Sequence, residues 1–343
     1  MKRPRIFSPK GTGKIKRATG SPGSRILGVG GYRPERVVPN SEIVEAIQSS
    51  DAWIQERSGI VERRFARPDE TVVDMSYAAA KDAIAMAGLD QSEIDAIIMA
   101  TVTHPYQTPA AAPLLADRLD LRCAAFDISA ACAGYCHAVS LASDMVRGGS
   151  ATNVLVVGVE KLTDFTDFTD RSTAFIFGDG AGAAVIGRSD HTGIGATVWG
   201  SEGDSWSTIQ QRESWVELRG REGVAWPAIK MEGHKVFRWA VWGMAPVAQR
   251  AMEAAGVKPS DLDAFIPHQA NMRIIDAMLK QLKLPADIPV ARDIAETANT
   301  SAASIPLATE RMLREGEIPH GGLALQIGFG AGLVYAAQVI VLP

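Results

Sequence analysis

The sequence predicts an α/β fold assembled from two related halves. Short apolar runs bounded by Gly, Pro or Asp, as buried strands are, alternate with amphipathic stretches of helical spacing. One such strand-and-helix segment occurs twice in the chain. The 343 residues are 46% hydrophobic and 22% charged with a formal net charge of −4, enough apolar side chain for a large core. That balance argues against a disordered or fibrous chain and against the basic footprint of a nucleic-acid binder.

Along the chain, residues 1–24 come first, with Lys2, Arg3, Arg5, Lys10, Lys14, Lys16 and Arg17 but no acidic residue. Rich in Gly, Ser and Pro, they read as a basic flexible tail. They hold no apolar signal core, and no stretch of the chain approaches the roughly 18 to 20 apolar residues of a membrane span, so a cytoplasmic location is expected. Gly28-Val29-Gly30-Gly31 follows a short strand, but Arg33 stands where a dinucleotide fingerprint needs Gly. Helical spacing over Val72 to Ala87 precedes a strand at Ala96 to Ala100, and a strand at Ala125 to Ile128 precedes a helix at Tyr135 to Val146. Apolar runs at Val154–Val157 and Ala184–Ile186 flank Gly178-Asp179-Gly180-Ala181-Gly182, which lacks the Lys of a P-loop and reads as tight turns with close backbone approach. Trp199 to Met231 is an extended segment containing Trp206, Trp215 and Trp226. A helix over Val236 to Ala255 and strands at Ala264–Ile266 and Leu323–Leu325 complete the pattern. Gly328-Phe329-Gly330-Ala331-Gly332 then offers a turn that could present a backbone N–H to an oxyanion.

The repeat sets the organisation. Residues 83–98 reappear as 250–266, with Ile98 answering Ile266 at an offset of 168, and Met145–Gly149 answers Met312–Gly316 at an offset of 167. The halves are assigned to 25–192 and 193–343, with the boundary near Ser189 to Gly195. At the second offset Cys132 corresponds to Asn299, so reactive and polar groups from both halves are expected to meet near a pseudo-twofold axis.

Three cysteines do not make a disulfide framework and suit a reducing compartment. Cys132 follows a strand and opens a helix among small neighbours, a position where the helix dipole favours a thiolate nucleophile. The competing reading is a buried core cysteine, which we adopt for Cys123 and Cys136. Cys132, Cys136 and His137 are too few for a metal site, and no metal is expected. His268, directly after a buried strand, is either structural or aimed at a ligand crevice. With Asn299 placed opposite Cys132, the trio Cys132, His268 and Asn299 becomes the sharper hypothesis.

Four blocks then carry a resemblance: Asp127 to Gly134, Phe177 to Ala183, Pro267 to Ile275 and Asn299 to Ser304. They resemble β-ketoacyl-acyl-carrier-protein synthase III, a condensing enzyme of the thiolase superfamily, and most of all its actinobacterial members. The resemblance implies a thiolase-like five-layered αβαβα fold with two duplicated halves. It implies Cys132 as nucleophile, His268 and Asn299 as the decarboxylation pair, and the backbone N–H groups of Cys132 and Ala331 as an oxyanion hole. Ala331 and Ala298 stand where Gly is common in the family. By motif position Trp53 and Arg171 would sandwich the adenine of CoA, Arg57 would contact CoA, and Arg238 and Arg273 would attract the acidic carrier protein. Thr108 matches a position that is a bulky aromatic in acetyl-restricted enzymes, so a wider acyl pocket is implied. The expected activity is decarboxylative Claisen condensation of an acyl-CoA with malonyl-acyl carrier protein by a homodimer, without a cofactor. The alternatives are a starter-unit synthase that primes a polyketide synthase and an ester-forming acyltransferase of the same fold.

Overall fold

The computed structural model describes residues 15–16, 18–223 and 226–343. Most of the 1–24 segment therefore lies outside the described residues. Its end departs from the expected tail: a strand starts at Gly23, and the buried Ser24 hydroxyl lies 2.7 Å from Ser143 Oγ. Antiparallel pairing of Gly23–Tyr32 with Gly180–Ser189, in register from Gly23 opposite Ser189, draws these residues in.

A five-stranded sheet runs in the order Gly23–Tyr32, Gly180–Ser189, Asn153–Glu160, Ala96–Ala100, Ala124–Ile128. A four-stranded sheet runs Val198–Ser201, Val334–Val341, Leu323–Gly330, Ala264–Pro267. From its first strand inward, each sheet pairs antiparallel, antiparallel, then parallel. Val290, bridged in parallel to Phe265, marks where the second sheet would carry the counterpart of Ala124–Ile128.

Alternation along the central strands creates the layers. In Ala96–Ala100 all five residues are buried, because Ile97 and Met99 face one core while Ile98 faces another. Helices Val72–Ala87 and Ala111–Arg118 cover the outer face of the first sheet, and Gly233–Ala255 with Met272–Leu282 covers that of the second. Between the sheets lie helices Gly134–Gly148 and Ser304–Arg314, whose Tyr135, Val139, Ile305 and Met312 share a core with Val154, Val156, Ala324 and Ile340. The result is the five-layered αβαβα arrangement. Among the described residues no helix is long and apolar enough to cross a membrane.

The repeat has a local cause. Thr71 and Asp74 form a capping box on Val72–Ala87, which ends on left-handed Gly88 (φ 68°), and Gly233–Ala255 ends on Gly256 (φ 69°). Each glycine leads through a short 3₁₀ turn, Gln91–Glu93 or Pro259–Asp261, into a buried strand. The pairing of Cys132 with Asn299 is corrected, however. The turns Ala131–Ala133 and Ser301–Ala303 match each other, each opening on a non-glycine residue of positive φ, Ala131 at 44° and Ser301 at 49°. Cys132 therefore answers Ala302. The offset of 167 holds at the C-termini of the following helices, but Gly134–Gly148 has 15 residues against 11 in Ser304–Arg314, so the register shifts by about a turn between their ends.

Two glycine clusters read as following a strand or as turns lie inside strands instead. Gly28 and Gly30 belong to Gly23–Tyr32, where an added Cβ would meet Ala83 O at 2.5 Å and Ala79 O at 2.2 Å, so they let helix Val72–Ala87 lie directly on the strand. Gly180 and Gly182 likewise open Gly180–Ser189. Gly158 joins the halves, since its Cβ would stand 2.2 Å from Ala302 O. Gly158→Ala is expected to destabilise the chain by about 1–3 kcal/mol through overpacking. A denaturant midpoint unchanged from the parent would contradict that contact.

Candidate active site

A cavity of about 710 Å³ opens between the halves, and Cys132, His268, Asn299 and Ala331 all line it. Cys132 sits in the turn Ala131–Ala133, just ahead of helix Gly134–Gly148. The turn's own bonding begins at Ala133, whose N–H donates to Ala130 O at 3.1 Å, so it does not consume the Cys132 N–H. Gly330 makes room for the sulfur: a Cβ there would lie 2.8 Å from Cys132 Sγ. Ala331 follows Gly330, the last paired residue of its strand.

The expected resting thiolate is not what these surroundings favour. Burial pushes the Cys132 thiol from 9.0 to about 12; the Ser301 side chain opposes the rise and the Glu160 carboxylate adds to it. A helix N-terminus contributes at most about 2 kcal/mol, or one and a half pK units, less than that rise.

His268 follows strand Ala264–Pro267 and is 1% exposed. Its ring stands edge-on to Phe329 at 5.4 Å, and burial pushes its pKa from 6.5 down to about 3, so it is neutral. The hydrogen-bond network assigns its tautomer. Ser304 Oγ accepts from Gln269 N at 3.3 Å and lies 2.7 Å from His268 Nδ1; the tautomer in which the serine hydroxyl donates to Nδ1 places the ring proton on Nε2. Asn299, 7% exposed, is oriented in the same way. Its backbone bonds Ile176 O and Gly178 N, and its Oδ1 accepts from Ser301 N at 2.8 Å, which leaves the Nδ2 hydrogens for the cavity.

The sequence reading did not single out Ser301, Ser304 or Glu160. The two serines lie within the block from Asn299 to Ser304, while Glu160 is signalled only as the charged end of a strand that is apolar from Val154 to Val159. Glu160 is fully buried and accepts from Thr101 Oγ1, Val102 N, Thr103 Oγ1 and Ser301 Oγ at 3.2, 3.0, 2.7 and 3.2 Å. Burial, only partly offset by those bonds, raises it to about 7.

Helix Asp51–Ser58 brings Trp53 and Arg57 to one rim of the cavity; Ser50 Oγ caps it and left-handed Gly59 ends it. Trp53 packs edge-on against Phe175 at 5.2 Å, with Arg57 5.8 Å from its ring centre. Arg171 also reaches this rim, but its guanidinium lies 4.7 Å from the Trp53 ring centre. A purine held between them needs the two planes roughly 7 Å apart, twice a van der Waals contact, so the expected sandwich is closed and Arg171 must swing aside to admit one. Arg273 lines the cavity with its guanidinium 5.2 Å from the Phe237 ring centre, and the exposed Arg238 follows Phe237 on helix Gly233–Ala255 without lining it.

Thr108 is placed differently from the expectation. It is exposed, does not line the cavity of its own chain, and lies in the loop between Ala96–Ala100 and Ala111–Arg118. That loop leads to the edge strand Ala124–Ile128, where Asp127 accepts from the N–H groups of Ala111 and Ala112 at 2.8 Å. The apolar wall comes from Leu162, Phe165, Phe177, Ile209, Ile229 and Val236. Segment Trp199 to Met231 thus borders the cavity through the hairpin Ile209–Gln211 and Ile229–Met231, while Trp206, Trp215 and Trp226 stay exposed and do not line it. Cys136 is buried as expected, whereas Cys123 is only half-buried, packed at the margin of the outer core. His137 Nδ1 lies 2.9 Å from Ala133 O, and among the described residues no group of three His, Cys, Asp or Glu could hold a metal.

Residues 126–203 match the family of 3-oxoacyl-[acyl-carrier-protein (ACP)] synthase III, and residues 252–342 match its C-terminal part. The chain is 59% identical to β-ketoacyl-[acyl-carrier-protein] synthase III 1 of Streptomyces coelicolor, covering 96% of this chain and 99% of that protein. It is 52% identical to the mycobacterial β-ketoacyl-[acyl-carrier-protein] synthase III of Mycobacterium marinum, over 93% and 95% of the two. Among solved structures, it is similar to the priming β-ketosynthase of the R1128 polyketide biosynthetic pathway, with a TM-score of 0.93, 47% identity and coverage of 96% and 98%. The 3-oxoacyl-(acyl carrier protein) synthase III of Pseudomonas aeruginosa aligns with a TM-score of 0.86 and 37% identity over 94% and 98%. Extending nearly end to end on both chains, this likeness shows that the chain belongs to the β-ketoacyl-acyl-carrier-protein synthase III family.

Proposed function

We propose that the chain joins an acyl-CoA starter to malonyl-acyl carrier protein by decarboxylative Claisen condensation, giving 3-oxoacyl-acyl carrier protein and opening fatty acid synthesis. The observation that carries this reading is the convergence of one thiol and two oriented neutral donors, His268 Nε2–H and Asn299 Nδ2–H, on a single cavity. In the first half-reaction Cys132 Sγ attacks the thioester carbonyl carbon, and the oxyanion is held by the N–H groups of Cys132 and Ala331. CoA departs, leaving an acyl-Cys132. In the second, His268 and Asn299 donate to the malonyl thioester carbonyl and stabilise the enolate left as CO₂ departs. The enolate carbon attacks the acyl carbonyl carbon, and the Cys132 sulfur is released. Neutral donors suit this task, because a charged imidazolium would be costly at a site buried this deeply. No cofactor enters these steps.

Trp53, Arg57 and Arg171 would bind CoA at the rim, Arg171 stacking on the purine once it has swung aside. Arg238 and Arg273 form a local cationic patch for the acidic carrier protein on a chain of net negative charge. The edge strand Ala124–Ile128, with Phe126 exposed, supports a homodimer in which this edge is paired. Thr108 lies in the loop ahead of helix Ala111–Arg118, whose first N–H groups are held by Asp127 of that edge strand, so its influence on the acyl pocket would be exerted on the partner subunit. A free cysteine nucleophile favours the cytoplasm. The likeness to a priming β-ketosynthase supports a second reading, that the chain selects starters for a polyketide synthase with the same chemistry.

Incubation with a panel of acyl-CoA thioesters, read by intact mass and peptide mapping, tests the reading. A single acyl adduct on Cys132 is expected, with branched or longer acyl groups accepted. Thr108→Phe should shift the preference towards acetyl-CoA by roughly tenfold, the discrimination that one to two methylene-sized groups give a pocket. No adduct on Cys132 with any thioester would sink the assignment, and an unchanged preference in Thr108→Phe would remove Thr108 from the pocket.

A further inference from the structure

Both residues of the decarboxylation pair are oriented by one short stretch, 299–304: Asn299 Oδ1 accepts from Ser301 N at 2.8 Å, and His268 Nδ1 lies 2.7 Å from Ser304 Oγ. That stretch belongs to the second half, but a side chain of the first half grips it. Glu160 ends strand Asn153–Glu160, is fully buried and does not line the cavity, and its Oε1 accepts from Ser301 Oγ at 3.2 Å. Gly158, on the same strand, lets the turn Ser301–Ala303 come this close.

The carboxylate is aimed by the loop that follows Ala96–Ala100. Thr101 Oγ1, Val102 N and Thr103 Oγ1 all donate to Oε2, at 3.2, 3.0 and 2.7 Å, which leaves Oε1 to face the other half. The two threonine hydroxyls are themselves held, since Lys161 N donates to Thr103 Oγ1 at 2.8 Å and Thr103 N to Thr101 Oγ1 at 3.3 Å. The duplication shows what the Ser301 hydroxyl is not for. Ala131, which opens the corresponding turn of the first half, takes the same left-handed backbone, φ 44° against 49°, with no hydroxyl. The turn therefore forms without one, and what distinguishes the second turn is that its first N–H orients Asn299.

We propose that Glu160 is a positioning residue for the decarboxylation step, acting through the Ser301 hydroxyl to fix the N–H that aims Asn299 at the malonyl thioester carbonyl, a role that rests on the condensation reading above. The links run from Glu160 Oε1 to Ser301 Oγ and from Ser301 N to Asn299 Oδ1, and they leave the Nδ2 hydrogens for the enolate oxygen. No proton moves along them. Their effect falls on enolate formation, and not on transfer of the acyl group to Cys132.

CO₂ release from malonyl-acyl carrier protein, with kcat and KM resolved, tests this beside acylation of Cys132. Ser301→Ala removes the link but keeps the backbone N–H, and Ala131 shows that the turn accommodates the side chain. Its decarboxylation kcat should fall by roughly 10- to 10²-fold, the upper figure being the cost of a misplacement of about 1 Å, with KM and acylation within a few-fold of the parent. Glu160→Gln should recover most of the rate, because the three loop donors hold its amide oxygen and its Nε2–H then bonds Ser301 Oγ. Glu160→Ala, which also strands those donors, should lose at least as much as Ser301→Ala. A double-mutant cycle decides between positioning and packing: in an Asn299→Ala background, Ser301→Ala should cost less than about twofold, since the residue it positions is gone. Losses that multiply in that background, a Glu160→Gln rate as low as that of Ser301→Ala, or a parallel fall in acylation and decarboxylation would overturn the role of Glu160. A parent that acylates Cys132 but releases no CO₂ would instead refute the condensation reading, and this role with it.

Discussion

Cys132→Ala is expected to abolish condensation, with kcat falling on the order of 10⁴- to 10⁶-fold, as when an enzyme loses its nucleophile. The same variant should still decarboxylate malonyl-acyl carrier protein. The separation follows from the wiring of the site: His268 is oriented by Ser304 and Gln269, and Asn299 by Ser301 N, Ile176 and Gly178. None of those bonds passes through the sulfur, and truncation to Ala only widens the cavity beside Gly330. CO₂ release and intact mass measured together provide the check. An acyl adduct persisting in Cys132→Ala, or a decarboxylation rate that falls with condensation, would show that the thiol is not a separable nucleophile.

Removing a donor from the other side should give the mirror result. In His268→Ala, acyl-Cys132 should form at nearly the parent rate while condensation falls by about 10²- to 10³-fold, the loss seen when one donor to a developing oxyanion is deleted. Asn299→Asp sharpens the point. Aspartate keeps an oxygen for the Ser301 N–H, so the turn stays in place, but it replaces the Nδ2 donor with an acceptor. Its condensation rate should fall at least as far as that of His268→Ala, since a negative charge would then face the enolate. Rapid-quench measurement of the two half-reactions separates these steps. Equal loss of acylation and condensation in either variant would assign the residue to general packing.

Much of this architecture is legible in the sequence because it depends on local chemistry. Left-handed Gly88 and Gly256, the turn after each and the apolar run beyond them recur at one spacing, which reveals the duplication before any coordinates do. Cys132, His268 and Asn299 are legible for a related reason: each stands at the end of a buried strand or the mouth of a turn, where a side chain can reach a crevice. The less legible features depend on what arrives from far along the chain. The glycines at 28 and 30 resemble a turn until helix Val72–Ala87 is laid across them. The thiol reads as activated by a helix end until burial is weighed against the dipole, and the buried Glu160, whose carboxylate adds to the rise of the thiol, lies 28 residues further along the chain. The Cys132–Asn299 pairing fails by three residues because the two middle helices differ by about a turn in length, which an offset taken at one end does not report. Thr108 shows the limit of reading a pocket from motif position, since its loop leaves it exposed and outside the cavity of its own chain.

The central claim is that one cavity carries an acyl group on Cys132 and then condenses it with a decarboxylated malonyl unit. A single-turnover chase tests it most directly: isolate the acyl-Cys132 form, add malonyl-acyl carrier protein, and follow intact mass and CO₂ together. The account predicts loss of the acyl mass from Cys132 in step with one equivalent each of CO₂ and 3-oxoacyl-acyl carrier protein. An adduct that survives the chase, or leaves as an ester or free acid without CO₂, would contradict it.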